Sequence, residues 1–373
     1  MAAGREKFDS AARIFSFSAP RTGRIADMTS REMIPATVLT GFLGAGKTTL
    51  LNYILSQRHG YKCAVIINEL GAIGIDNQLV VGVDEEILEL NNGCLCCRVR
   101  GDLIKSIVDL LQRQKRFDYV LVETTGLVDP GPVVQTFGSS ELADRLRLDG
   151  IITVVDSKNI EKELSDAPEA SAQIAYADVI LLNKTDLVGP AELQHIETRL
   201  RKINGVAQIH RTRQSEIDLG KILNIKAREL GASFAMPEQP AEPAHAEHEE
   251  HHHEHAHDHD EGHHHHDEHH AHHDERVKSL FLVEERPLDL KKVETWLTGV
   301  IRALGTNIYR SKGILYLKGQ PKRVVFQGVQ MIFDARPDRF WNPGEKRWSQ
   351  LVFIGRELDE AALRAGFEQC LAS

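Results

Sequence analysis

The chain has 373 residues, 42% of them apolar and 27% charged, with a formal net charge of −9; that balance suits a globular protein with room for two cores. No run approaches the ~18 consecutive apolar residues of a membrane-spanning helix, and the N-terminus lacks the basic start, apolar stretch and cleavage site of a secretory signal. Five cysteines, three of them in one short cluster, do not make a disulfide framework; with the missing signal they point to a reducing cytoplasm, and nothing calls for a membrane or a nucleic acid as partner.

Residues 1–32 read as a disordered extension, because Glu6, Asp9 and Asp27 do not suit an acid-poor transit peptide. A P-loop domain is expected over residues 33–232. It opens with "PATVLTGFLGAGKTTLLNYIL" at 35–55, in which a short β-prone run enters a glycine loop and an amphipathic helix leaves it. That is GxxxxGKT in the context that the motif requires. Gly41, Gly44 and Gly46, with Ala45 between, let backbone amides curl around a phosphate, and the helix start that carries Lys47, Thr48 and Thr49 adds its positive dipole end. Lys47 is expected to bridge the β- and γ-phosphates, and the Thr48 hydroxyl to bind Mg2+.

"KCAVIINE" at 62–69 reads as the next strand and ends in Asn68-Glu69, the place for a first switch. "NNGCLCC" at 91–97 then packs Cys94, Cys96 and Cys97 into four positions. Bridging among them is strained at that spacing, but three thiolates in one turn can converge on a soft or borderline cation. No fourth cysteine or histidine lies near, and an open position suits a site that must give its metal up. Zinc is the first choice and Co2+ the second.

"FDYVLVETTGLVDP" at 117–130 is an apolar strand ending in Glu123, with Gly126 three residues on; these take the places of a Walker-B carboxylate and a γ-phosphate-sensing glycine. Either Glu123 or Glu69 is expected to serve the attacking water or the Mg2+ shell. "GIITVVD" is a further strand, and "DVILLNKTDLV" at 178–188 is another that ends in Asn183-Lys184-Thr185-Asp186. An aspartate there can accept both the N1 and N2 hydrogens of guanine, which adenine cannot supply, so the nucleotide is read as GTP. With "AQIHRT", the alternation predicts a mostly parallel sheet with helices on both faces.

Residues 237–275 hold 13 Asp or Glu, no Lys or Arg, and 16 of the 19 histidines, which leaves 45 basic against 41 acidic residues elsewhere, a net +4. With so little apolar area to offset backbone entropy, 233–276 is expected to be a disordered linker. Its imidazoles are read as an accessory metal collector. Beyond it, 277–373 is expected to form a small α+β sandwich: strand "RVKSLFLVEE", helix "DLKKVETWLTGVIRALG", strands "TNIYRSKG", "ILYLKG", "RVVFQGVQ" and "QLVFIG", and a helix over 358–371. Trp296, Trp341 and Trp348 read as core or interface anchors.

Taken together, GFLGAGKTTLLN, INELG at 67–71, NGCLCC, ETTGLVDPGPV, NKTDLV, the histidine-rich linker and "RSKGILYL…FQGV" resemble the CobW-type metallochaperone GTPases, nearly continuously over 34–373. The zinc-transferring members are at least as similar as the cobalamin-pathway ones. The resemblance implies GTP hydrolysis coupled to delivery of a transition metal, held at the CxCC site, to a client metalloprotein. The alternatives are cobalt handling for cobalamin synthesis, or a metal buffer with a regulatory nucleotide domain. One departure stands out: after Asn68-Glu69-Leu70-Gly71 the family usually carries a glutamate, and this chain has Ala72.

Overall fold

The computed structural model describes residues 33–69, 86–91, 97–112, 117–227 and 277–373. In the first part, strands and helices alternate: β1 (Ile34–Thr40), α1 (Lys47–Ser56), β2 (Cys63–Glu69), β3 (Glu86–Asn91), α2 (Cys97–Gln112), β4 (Tyr119–Thr124), α3 (Gly131–Thr136), β5 (Leu146–Asp156), α4 (Ile160–Asp166), α5 (Pro168–Tyr176), β6 (Val179–Asn183), α6 (Pro190–Ile203) and β7 (Gln208–Arg211). The strands form one seven-stranded sheet in the order β3-β2-β4-β1-β5-β6-β7, and every pairing in it is parallel. β4 and β6 are buried along their whole length, which is why they read as continuous apolar runs and not as an alternation. β3, "EILELN", was not among the expected strands; it is the outer strand beside β2.

The second part contains β8 (Val277–Glu284), α7 (Leu290–Leu304), β9 (Ile308–Leu315), β10 (Lys322–Val329), β11 (Ile332–Phe340), β12 (Ser349–Arg356) and α8 (Glu360–Glu368). Its sheet is antiparallel, in the order β11-β10-β9-β12-β8. The two strands expected across 306–319 are one. Gly313 is not a break in β9 but a point of close approach, where an added Cβ would run into the Gln350 carbonyl oxygen of β12. The layers are those of the expected α+β sandwich. One face of the sheet carries α7 and α8 over a core that includes Leu297, Phe326, Phe353 and Phe367, with Trp296 packed against Phe353 and Phe367. The opposite face lies on α5 and α6 of the first part.

That seam is as well packed as a core. Val277, Tyr309, Val329, Val352 and Ile354 belong to the same buried cluster as Val122, Tyr176 and Leu200. α5, "PEASAQIAY", is buried from Ala170 through Tyr176 because it has a sheet on either side, and its small residues let both come near. In the middle of the seam Arg310 and Lys312 of β9 both reach Asp178 Oδ1, Lys312 Nζ at 2.9 Å. Burial works against the Asp178 charge, but the two cations prevail and hold its carboxyl below the ordinary carboxylate range.

Candidate functional site

Because the first sheet is parallel, the carboxyl ends of its strands share one edge. The register runs Glu69 beside Asn91, Asn68 beside Thr124, Leu39 beside Glu123, Thr40 beside Thr153 and Asp156 beside Asn183. Every expected nucleotide residue therefore leaves the sheet at the same side, as the rule for ligand sites in α/β sheets demands.

The glycine loop joins β1 to α1. Gly41, Gly44 and Gly46 all have φ in the left-handed range, 140°, 71° and 114°, and a Cβ on Gly41 would collide with the Val154 carbonyl; no side chain but hydrogen fits there. Lys47 is buried, its Nζ donating to the Phe42 carbonyl across the loop at 3.0 Å. Ala45 is buried, while Thr49 is exposed. The Thr48 hydroxyl donates to Glu123 Oε1 at 2.9 Å, so the end of β4 and the start of α1 meet at a pair of hard oxygens.

The guanine-type motif sits on the next strands of the edge. Asn183 is buried and works as a tie, its Nδ2 donating to the Ala45 carbonyl at 2.9 Å and its Oδ1 accepting from Ser215 N–H at 2.9 Å. The Ser215 hydroxyl closes the ring on the Gly46 carbonyl at 3.1 Å. Lys184 takes φ 58°, and its Nζ donates to Asp156 Oδ2 at 2.7 Å. Burial works against the Asp156 charge, yet the bonds from Lys184, Asn159 and the Lys158 N–H outweigh it and hold the carboxyl below its ordinary value. Asp186, in the turn Thr185–Leu187, is exposed at the rim.

Gly126 lies on the P-loop itself: a Cβ there would stand 2.6 Å from the Leu43 nitrogen. Glu69 is the last residue of β2, one position beyond the pairing of Asn68 with Thr124. Cys97 is the first residue of α2. Cys94 and Cys96, the extension 1–32 and the histidine-rich stretch lie outside the described residues, which contain no group of three or more metal-type side chains. Two participants went unread in the sequence. Asp156 carried a signal, an apolar strand ending in a carboxylate, as Glu123 does. Ser215 carried none, because its role depends on a turn with φ 60° that no pattern announces.

A parallel sheet with its glycine loop, hydroxyl–carboxylate pair and NKxD turn at one edge defines a P-loop GTPase. Residues 35–211 match the CobW/HypB/UreG nucleotide-binding domain and residues 277–371 the CobW C-terminal domain, and the chain belongs to the CobW family. It is 37% identical over 339 residues to the zinc chaperone YjiA of Escherichia coli, covering 90% of this chain and 98% of that one. It is 32% identical to the zinc chaperone CobW of a Sinorhizobium species, over 89% and 96% of the two chains. The crystal structure of Zn(II)-bound YjiA GTPase from E. coli superposes with a TM-score of 0.69, at 32% identity in that structural alignment, over 91% of this chain and 99% of that one. No described helix is long and apolar enough to cross a membrane.

Proposed function

We propose that this protein is a GTP-dependent zinc chaperone that takes up Zn2+ at Cys94, Cys96 and Cys97 and passes it to a client metalloprotein in the cytoplasm, with hydrolysis timing the release. One observation carries the coupling. β3 ends at Asn91 beside Glu69, on the edge that holds the P-loop, and the cysteine run follows Asn91 in sequence and closes at Cys97, the first residue of α2. From β3 to β1 is three strand spacings, about 14 Å. The names of the relatives support zinc over cobalt.

Within this reading Gly41, Gly44, Ala45, Gly46 and Thr49 frame the phosphates, and Lys47 exchanges its carbonyl for β- and γ-phosphate oxygens. Gly126 senses the γ-phosphate, and Asn183, Lys184 and Asp186 hold the guanine. Mg2+ fits the Thr48–Glu123 pair, since both offer the hard oxygen donors that it prefers. Bound there it would neutralise charge on the departing phosphate, with Glu69 or Glu123 orienting water. Three thiolates suit zinc, with Co2+ second, and the histidine-rich stretch would raise the local supply of cation.

The test is a calorimetric titration of Zn2+ into the wild type and into a triple variant with Cys94, Cys96 and Cys97 changed to Ser, each with and without a non-hydrolysable GTP analogue. The tight zinc site should vanish in the variant while analogue affinity holds. In the wild type, analogue and zinc should change each other's affinity by the same factor. Equal zinc affinity in the two proteins, or no effect of the analogue, sinks the reading.

A further inference from the structure

The loop between β4 and α3 carries Gly126, yet what holds it is not in any nucleotide motif. Gln173 of α5 is 1% exposed, and its Nε2 donates to two carbonyls of that loop, Gly126 at 3.0 Å and Val128 at 3.2 Å. A trans peptide is planar, so fixing these two oxygens fixes the planes of the 126–127 and 128–129 peptides, and with them the arc of the loop over Leu43. Gln173 is itself pinned, its carbonyl accepting from the Thr153 hydroxyl at 2.8 Å, one strand away from β1.

The same helix reaches the C-terminal domain one turn later. The Tyr176 ring lies 5.1 Å from the ring of Tyr309 in β9, which also has the Arg356 guanidinium 5.4 Å from its centre. Where the loop ends, a Cβ on Gly131 would stand 2.5 Å from the Tyr176 hydroxyl, 2.9 Å from Gln330 Nε2 and 3.0 Å from Asp129 Oδ1. Groups from the loop, from α5 and from the β10–β11 turn thus converge on the first residue of α3, and Gln135 of that helix also bonds Gln330 at 3.3 Å.

We propose that Gln173 is a positioning residue for GTP hydrolysis, clamping the Gly126–Val128 carbonyls so that the loop is set over the P-loop, and that α5 transmits the position of the C-terminal domain to this clamp through Tyr176 and Tyr309. The proposal rests on the GTPase reading above, in which Gly126 senses the γ-phosphate. A buried amide that spends both hydrogens on one loop, in a helix wedged between two sheets, serves that loop's geometry. Gln173 acts through the loop carbonyls that it holds, so its effect falls on the chemical step and not on ground-state binding.

Gln173→Met keeps the volume and removes both donors. In steady-state assays of the full chain, kcat should fall about tenfold with KM for GTP within about twofold of wild type and the melting curve still cooperative. Gln173→Glu can donate one bond when protonated and repels both carbonyls when ionised, so its kcat relative to wild type should recover as pH falls. Tyr309→Leu should lower kcat in the same sense, and the double variant with Gln173→Met should fall short of the product of the two effects.

Gly126→Ala and Lys47→Ala are run alongside. A folded Gln173→Met that turns over at the wild-type rate while Gly126→Ala is impaired overturns the clamp. A loss shared equally between kcat and GDP affinity, or a Gln173→Glu deficit that does not change with pH, overturns it too. Wild-type turnover in Tyr309→Leu overturns the link to the C-terminal domain. If Gly126→Ala is also unimpaired while Lys47→Ala is dead, the assignment of Gly126 has failed instead.

Discussion

Glu163 shows how one buried side chain can set a pH dependence for the whole site. It lies in α4, 7% exposed, and its pKa is raised from 4.5 to about 7, first by burial and then by the Asp156 charge, against the pull of Lys184 and Lys47. A carboxyl whose folded pKa is raised is stabilised in its neutral form. It costs nothing below the unfolded value of 4.5, costs progressively more as pH rises toward 7, and costs a constant amount above. Glu163→Gln removes that cost. The variant's gain in melting temperature over wild type should therefore be near zero at pH 4.5, grow through pH 7 and then level off; a gain that is the same at pH 5 and pH 8 means the carboxyl does not titrate in that range. Asp156 behaves in the opposite way because Lys184 reaches it, and two carboxylates of one site end up on opposite sides of their ordinary values.

At the scale of elements, the start of α1 differs from those of α7 and α8. α7 and α8 are closed by aspartates, Asp289 accepting from Lys292 N–H and Asp359 from Ala362 N–H, each at 3.0 Å. α1 begins after Gly46 with no side-chain cap, which leaves its first amides for a phosphate. Asp289→Ala and Asp359→Ala should each cost about 1 kcal/mol and add in the double variant, since the caps sit on separate helices. Urea midpoints should fall with unchanged slopes; a loss below a few tenths in both would show that solvent replaces the caps. The nucleotide elements were legible in the sequence because a phosphate imposes residue types at fixed spacing. The two missed strands, β3 and β11, are both outermost in their sheets; edge strands are half solvated, so "EILELN" and "IFDARPDRF" carry charge, and a proline in the second, where a buried strand would be apolar. Gln173 was illegible for another reason, since a glutamine in an alanine-rich helix has no signature until a loop from 45 residues away is laid on it.

For the molecule as a whole, two sequence families of elements share one core. The cluster around Val122 and Tyr176 is completed by Val277, Tyr309, Val329, Val352 and Ile354, so the nucleotide domain is not closed without the C-terminal sheet. A fragment comprising 33–232 should bind a hydrophobic dye and melt without a cooperative transition. A monomeric fragment with a wild-type melting curve would show instead that the seam is a docking surface between independent domains. The sequence marked the break between the two parts at its histidine-rich stretch, but composition cannot say whether flanking domains merge. That depends on α5 being buried on every side from Ala170 to Tyr176, which its nine residues show only when both neighbours are known.

β6 gives this union a mechanical meaning. At its entry stands Asp178, gripped by Arg310 and Lys312, and at its exit Asn183, gripping the backbone of Ala45 and Ser215. Between them run four buried residues bonded along both edges, about 17 Å of extended chain from Asp178 to Asn183. β6 is a tie rod. The grip on Asp178 and the tie to the glycine loop are two ends of one buried strand, so Asp178 belongs by statics to the frame of the nucleotide edge.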